Sequence, residues 1–370
     1  MSEVRFQVET NPPRVLARTG ERLIELPALW LRERCQDPEH LDPVTQQRLF
    51  DPHQLAEDLV LTGARAAGTD CAWLSFSDGY AGEYQLDKIA DEIDPDDGLP
   101  REVPWRADLA LETASVDGRS LDRDAVRLRA VTLLLTYGFV IIRDLATDPE
   151  LILEVARRFG YLRETNFGRY FEVYSRPDSN DLAYRPVRLG AHTDNPYREP
   201  VPGIQLLHCL VNETSGGLST LVDSYAVAAR LHAEDPQGLD LLAATPVRFR
   251  FVDAHEELIE HRPIVQRDVK GRMTGVHYSP RLDALPLLDG PSMRRYQRAR
   301  RRLSELFADP QFELRFRLGA GELMMFNNSR VLHGRTAFDP SEGKRHLQGC
   351  YIDLDGPRSL YRTLSRKLEP

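Results

Sequence analysis

The stretch Phe312-Glu-Leu-Arg-Phe-Arg-Leu318 alternates apolar and charged residues, and the run Gly319-Ala-Gly-Glu322 follows it directly. A period of two is typical of a strand that has one face in a core and the other in water. The two glycines indicate a turn, and residues 323–326 then resume an apolar strand pattern. Together these features predict a β-hairpin over residues 312–326.

Strand patterns also occur before and after this stretch, and two helical patterns begin at about residues 122 and 148. Many antiparallel strands preceded by two helices predict a mainly β fold with flanking helices, a double-stranded β-helix or jelly roll. We assign it to residues 106–370. The segment from Ile93 to Trp105 is rich in proline, glycine and acid, which predicts a linker. Residues 1–95 contain short alternating stretches and are expected to form a small β-rich N-terminal domain.

Composition excludes several classes of protein. The 370 residues are 41% hydrophobic and carry a formal net charge of -9, so no basic surface for nucleic acid dominates. The four cysteines are scattered, as expected in a reducing compartment. The first ten residues contain no apolar signal core, and no apolar run approaches the roughly 20 residues needed to span a bilayer. We expect a soluble cytoplasmic protein with neither nucleic-acid nor membrane partners.

The first chemical motif is His192-Thr-Asp194. Residues two apart in an extended segment point to the same side, so an imidazole and a carboxylate can converge on one ion. His333, within Arg330-Val-Leu-His-Gly-Arg335, is the best candidate for a third ligand. Two histidines and one carboxylate that leave positions open form the facial triad of non-haem Fe(II) oxygenases.

Arg345 begins an extended run, Arg345-His-Leu-Gln-Gly-Cys-Tyr351. Period two places Arg345 and Tyr351 on one face, which is expected to line the barrel interior. A buried guanidinium needs an anion, and the far carboxylate of a dicarboxylate co-substrate would suit its two-pronged geometry. An internal salt bridge is the alternative interpretation.

Four segments carry a family resemblance: residues 191–210 (AHTDNPYREPVPGIQLLHCL), 216–228 (GGLSTLVDSYAVA), 324–338 (MMFNNSRVLHGRTAF) and 345–353 (RHLQGCYID). Residues 110–360 resemble the taurine dioxygenase-like superfamily, and within it the γ-butyrobetaine hydroxylase group. The N-terminal segment LPALWLRERC resembles the accessory domain of that group. The similarity therefore covers nearly the whole chain.

The resemblance implies a 2-oxoglutarate-dependent dioxygenase that hydroxylates a small molecule and yields succinate and CO₂. His192, Asp194 and His333 would ligate Fe(II), Arg345 would hold 2-oxoglutarate, and Ser219 or Thr220 would help to bind its carboxylate. Related halogenases lack the carboxylate ligand, so Asp194 argues against halogenation. A zinc hydrolase would have no use for Arg345, and a binding protein without catalysis would not need all four residues.

The same resemblance implies a quaternary ammonium substrate held by aromatic faces, since a trimethylammonium group attracts them by cation–π interaction. The matching cage positions are Phe167, Phe171, Tyr184 and Tyr351. Where γ-butyrobetaine hydroxylases hold the substrate carboxylate with two asparagines, this chain has Asp181 and Tyr278. That departure leaves open a second substrate, 2-(trimethylamino)ethylphosphonate, whose phosphonate Arg281, His277 and Tyr278 would suit.

In the resembled group, the N-terminal domain often holds zinc with three cysteines and a histidine. This chain has Cys35, Asp37 and His40, but Tyr80 replaces the distal histidine. Because structural zinc requires a closed set of four ligands, no zinc is expected. The domain is expected to support a homodimer.

Overall fold

A computed structural model describes residues 4–93, 97–174 and 187–368 of the protein. The chain divides into two compact units, residues 1–98 and 99–370.

The second unit begins before the predicted residue 106, and two contacts explain why. The Val103 N–H donates to the Thr136 carbonyl at 2.8 Å, and the Trp105 N–H donates to Asp223 at 3.0 Å. Trp105 is only 5% exposed and packs in the core of this unit. The end of the proline-rich segment therefore belongs to the larger unit.

Within its described residues, the N-terminal unit contains two three-stranded antiparallel sheets, in the orders β1-β2-β3 and β4-β5-β6, and one α-helix, α1. Its core includes Val15, Leu31, Leu74 and Tyr84, all of them buried. The elements are β1 (Val4–Thr10), β2 (Pro13–Thr19), β3 (Arg22–Glu25), α1 (Ala28–Glu33), β4 (Leu61–Ala66), β5 (Cys71–Phe76) and β6 (Ala81–Gln85).

The larger unit contains fifteen labelled strands and six labelled helices within its described residues. The strands are β7 (Ser115–Asp117), β8 (Phe139–Arg143), β9 (Phe171–Tyr174), β10 (Leu189–His192), β11 (Ile204–Asn212), β12 (Ser219–Asp223), β13 (Pro246–Val252), β14 (Glu257–Pro263), β15 (Val265–Arg267), β16 (Met273–Val276), β17 (Asp283–Ala284), β18 (Glu313–Phe316), β19 (Leu323–Asn327), β20 (Val331–Arg335) and β21 (Arg345–Ile352). The helices are α2 (Asp124–Tyr137), α3 (Leu151–Arg157), α4 (Ser224–Glu234), α5 (Pro236–Ala244), α6 (Gly290–Phe307) and α7 (Asp355–Leu368).

Two sheets form the jelly roll, with strand orders β10-β20-β12-β18 and β7-β8-β19-β11-β21-β9. All their pairings are antiparallel except that of β7 with β8. The inner faces meet in a core that includes Leu221, Phe326 and Leu347. Helices α2, α3 and α7 cover the outer face of the larger sheet, whereas α4, α5 and α6 pack beside the smaller one. The predicted fold class is confirmed.

Sequence punctuation explains how this chain passes from helix to strand. Gly138 adopts a left-handed conformation, with φ of 78°, and its N–H donates to Leu134 O at 2.8 Å. Such a glycine cap ends a helix cheaply, so β8 begins at the next residue. Among the described helices, none is both long and apolar enough to cross a membrane.

The predicted hairpin over residues 312–326 is wrong. β18 pairs with β12 in the four-stranded sheet, whereas β19 pairs with β8 and β11 in the six-stranded sheet. Gly321, at φ of 79°, turns the chain from one sheet to the other. Alternation specifies which face of a strand is buried, but it does not specify the neighbouring strand.

Candidate metal centre

Three predicted ligands converge at one end of the smaller sheet. His192 ends β10 and lies directly opposite His333 of β20 in the antiparallel register, and Asp194 follows two residues later. Asp194 Oδ1 lies 3.3 Å from His192 Nε2 and 3.8 Å from His333 Nε2. All three ligand atoms lie within 4.8 Å of one another. Two imidazoles and one carboxylate on a common side are the donor set of a facial-triad Fe(II) site, so iron fits these residues.

The protonation states also suit a metal. Burial, followed by the neighbouring His192, lowers the pKa of His333 to about 3, so its imidazole is neutral near pH 7. Burial by itself would raise the pKa of Asp194, but His333 and His192 hold it well below its usual range. His192 Nδ1 contacts the Gly190 carbonyl at 3.0 Å, which turns Nε2 toward Asp194. A neutral imidazole and an ionised carboxylate are the metal-binding forms.

Asn328 holds the backbone of the ligand loop, and sequence reasoning assigned it no role. Its Oδ1 accepts from the Asp194 N–H at 2.7 Å, and its Nδ2 donates to the Asp194 carbonyl at 2.9 Å. Nδ2 also contacts the Pro202 carbonyl at 3.1 Å. Asn328 is fully buried. The signal for it was the pair of adjacent asparagines in the quoted segment 324–338, since a buried amide must find several partners.

Arg345 lies at the start of β21, as the period-two pattern predicted, and is 7% exposed. Its Nε has no hydrogen-bond partner within the described part of the chain, and its guanidinium lies 5.7 Å from the Phe338 ring. Burial lowers the pKa of Arg345 to about 10, and no carboxylate of the described residues offsets it. A Cβ added to Gly217 would lie 3.0 Å from Arg345 Nε, so this glycine allows the backbone to approach the guanidinium.

The two candidate hydroxyls lie on opposite faces of β12. Ser219 shares its face with Leu221, which packs in the barrel interior, and it lies opposite Arg335 in register. Thr220 shares its face with Val222, which packs with the helices outside. Ser219 is therefore the hydroxyl on the side of the barrel interior.

Three of the four predicted cage residues lie in the described chain and are close together. The rings of Phe167 and Phe171 are 6.3 Å apart, and those of Phe171 and Tyr351 are 5.4 Å apart, between centroids. Tyr351 also donates its hydroxyl to Asp194 Oδ2 at 2.7 Å, a contact that no sequence pattern indicated. Tyr351, one ring of this aromatic group, therefore also contacts a candidate metal ligand, Asp194.

Of the other residues predicted to bind the substrate, Asp181 and Tyr184 lie outside the described residues. The Tyr278 ring is buried against Phe307, 4.7 Å away between centroids, and its backbone N–H and carbonyl bond Thr193. Tyr278 thus supports the ligand loop through its backbone. Arg281 is exposed, and its positive charge contributes to the low pKa of His333.

In the N-terminal unit, Tyr80 replaces the distal histidine of the zinc site in the resembled group. Cys35 Sγ lies 2.8 Å from the Tyr80 hydroxyl, the His40 and Tyr80 rings are 4.9 Å apart, and Arg32 lies 4.2 Å above the Tyr80 ring. Asp37 caps the Glu39 N–H at 2.8 Å. Within residues 4–93, no three or more histidine, cysteine or acidic ligands converge. The expectation of no zinc stays a prediction.

The chain is similar to known dioxygenases over most of its length. A model of the family described as taurine catabolism dioxygenase TauD, TfdA family matches residues 103–351. γ-Butyrobetaine dioxygenase from Pseudomonas sp. strain AK-1 is 34% identical over 345 residues, covering 91% of this chain and 90% of that protein. Trimethyllysine dioxygenase from Meyerozyma guilliermondii is 27% identical, covering 88% and 87% respectively.

Among solved structures, asparagine oxygenase in complex with Fe(II), hydroxyasparagine and succinate aligns with a TM-score of 0.51. It is 18% identical in sequence, and the alignment covers 67% of this chain and 85% of that chain. At this identity the match confirms the fold.

Proposed function

Because the chain belongs to the taurine catabolism dioxygenase family TauD/TfdA, we propose that it hydroxylates a small zwitterion with a quaternary ammonium group, similar to γ-butyrobetaine. The protein is an Fe(II)- and 2-oxoglutarate-dependent dioxygenase. The observation that carries the substrate class is the group of rings, Phe167, Phe171 and Tyr351, that begins at the ligand Asp194.

His192, Asp194 and His333 would hold Fe(II). When bound, the iron supplies the oxidising chemistry by which O₂ hydroxylates a C–H bond while 2-oxoglutarate becomes succinate and CO₂. The ligands lie in a setting where His192 and His333 are 5% and 8% exposed, which limits access of water. Arg345 supplies a buried positive charge for the far carboxylate of 2-oxoglutarate, and Ser219 lies on the same side of the barrel.

The rings are suited to a cation that cannot donate hydrogen bonds. A trimethylammonium group has no N–H, so an aromatic face attracts it more specifically than a hydrogen-bond acceptor does. Phe167 and Phe171 offer faces without polar atoms. The two related proteins reported above are named for compounds that carry this group, which supports the same assignment.

Arg281 is a candidate residue to attract the acidic end of the substrate. It is exposed and close enough to affect the pKa of His333. A guanidinium binds a carboxylate or a phosphonate equally well in geometry. The compounds to be assayed therefore include both a carboxylate and a phosphonate, so that the assay identifies the acid group of the substrate.

An oxygen-consumption and succinate assay tests the proposal. We expect turnover with γ-butyrobetaine, and the panel also contains trimethyllysine, 2-(trimethylamino)ethylphosphonate and taurine. The matched control is 5,5-dimethylhexanoate, which has the shape and the carboxylate of γ-butyrobetaine but no positive charge. It should show kcat/KM at least about tenfold lower, since it lacks the cation–π attraction. Equal turnover of γ-butyrobetaine and 5,5-dimethylhexanoate, or turnover of taurine alone, would refute the substrate class.

The homodimer is also part of this proposal. Its support is the resemblance of the N-terminal segment to an accessory domain. Light scattering of the purified chain measures the mass directly, and a value near that of one 42.2 kDa chain would contradict it.

A further inference from the structure

Tyr351 connects two parts of the site through two ends of one side chain. Its ring lies 5.4 Å from Phe171, within the aromatic group, and its hydroxyl donates to Asp194 Oδ2 at 2.7 Å. The side chain is 4% exposed. Its backbone carbonyl accepts from the Arg163 N–H at 2.9 Å, and β21 has a neighbouring strand on each side, so the residue is held firmly.

The Tyr351 hydroxyl makes the two carboxylate oxygens of Asp194 unequal, because it bonds one of them. Oδ1 faces the imidazoles, at 3.3 Å from His192 Nε2 and 3.8 Å from His333 Nε2. Oδ2 is the oxygen bonded to Tyr351. A free carboxylate can rotate or present both oxygens to a metal, whereas a hydrogen bond to one oxygen leaves the other for the ion. Asn328 holds the backbone of Asp194 but does not select between these two atoms.

We propose that Tyr351 is a positioning residue for the metal: its hydroxyl orients Asp194 so that Oδ1 alone is offered to iron, while its ring faces the substrate. The part that concerns the ring rests on the proposed function, and the part that concerns the hydroxyl does not. Of the three described rings in the aromatic group, only Tyr351 has a hydroxyl. One residue therefore links substrate binding and metal binding.

The test is anaerobic titration of the metal-free, full-length protein with Fe(II), followed by calorimetry and without organic substrate. Tyr351→Phe keeps the ring and removes the hydroxyl. We expect its Kd for Fe(II) to rise by about 10- to 100-fold, the usual effect of losing a partner of a metal ligand. A smaller change is expected in the KM for substrate, because the aromatic face remains.

Tyr197→Phe is the matched control. The Tyr197 hydroxyl donates to Asn195 Oδ1 at 2.7 Å in the same loop, and Tyr197 is 5% exposed. This variant loses the same group near the ligands and should bind Fe(II) within about twofold of wild type, since the hydrogen bond shown for this hydroxyl is to Asn195 and not to an oxygen of Asp194. Circular dichroism of the metal-free variants verifies that both are folded.

An unchanged Kd for Fe(II) in Tyr351→Phe would overturn the assignment, and so would an equal rise of that Kd in Tyr351→Phe and Tyr197→Phe. A Tyr351→Phe variant in which only the KM for substrate rises would also overturn it. Because the titration contains no substrate, its outcome does not depend on whether γ-butyrobetaine is turned over. Failure of the substrate panel with normal Fe(II) binding would count against the proposed function alone.

Discussion

Arg330 and Arg345 are both buried in the same unit, but only Arg330 has its charge satisfied by the protein. Arg330 is fully buried and donates to both oxygens of Asp223, at 3.1 Å each, and to the carbonyls of Thr136 and Val103, at 2.9 and 2.7 Å. Arg345 is 7% exposed, and among residues 4–93, 97–174 and 187–368 no carboxylate pairs with it.

The two environments distinguish a structural arginine from one that we propose to bind a ligand. Removing a guanidinium from water is costly, and the cost is offset when an anion and carbonyls surround it. Arg330 joins Asp223 to the segment that contains Val103, so its role is to hold elements together. Arg345 carries the same cost without an internal anion, which is the arrangement expected when an external carboxylate completes the site.

Substitutions of Arg330 and Arg345 should differ most strongly in how much they lower the free energy of unfolding. Arg330→Met leaves Asp223 buried without its counter-ion, so it should lower the free energy of unfolding by about 3–5 kcal/mol. Arg345→Met removes a charge that has no internal partner, so it should lower the free energy by less than about 1 kcal/mol, or raise it. Urea denaturation of the metal-free proteins measures both. Similar losses in the two variants would remove the distinction.

Affinity for 2-oxoglutarate should separate the residues in the opposite sense. Arg345→Met is expected to raise the KM for 2-oxoglutarate by roughly 100-fold, because a charge-assisted contact worth about 1.5–3 kcal/mol is lost. Arg345→Lys keeps the charge without the two-pronged geometry and should raise it about tenfold. Steady-state succinate formation measures the KM. A KM that stays at the wild-type value in both variants would show that Arg345 is structural.

The smallest effect concerns the glycine beside Arg345. Gly217→Ala puts a methyl group 3.0 Å from Arg345 Nε, at a position with φ of 67°, and should raise the KM for 2-oxoglutarate about threefold. Gly20→Ala is the control, since Gly20 has φ of 57° but no atom within 4 Å of the added Cβ. Both should lose about 1–2 kcal/mol of stability from backbone strain. A changed KM in Gly20→Ala, or an unchanged KM in Gly217→Ala, would contradict a role for the close approach of Gly217 to Arg345.

Sequence reasoning placed residues correctly where their geometry depends on local spacing. The separation of His192 and Asp194 by one residue, and the alternation that begins at Arg345, describe geometry within a single extended segment. It failed at the predicted hairpin, because the partner of β18 is β12 and not the adjacent β19. It left Ser219 and Thr220 unresolved, since choosing a face required knowing which side of β12 lines the barrel.

Local sequence patterns and family resemblance were sufficient to predict the class of chemistry, from a facial set of candidate ligands, an arginine on an interior strand face and aromatic residues. Which atoms come into contact follows from the packing of segments that are distant in the sequence. The contact of Tyr351 with Asp194 joins residues 157 positions apart, and that of Asn328 with Asp194 joins residues 134 apart. Such contacts depend on strand register and loop course across two sheets, which no local period encodes.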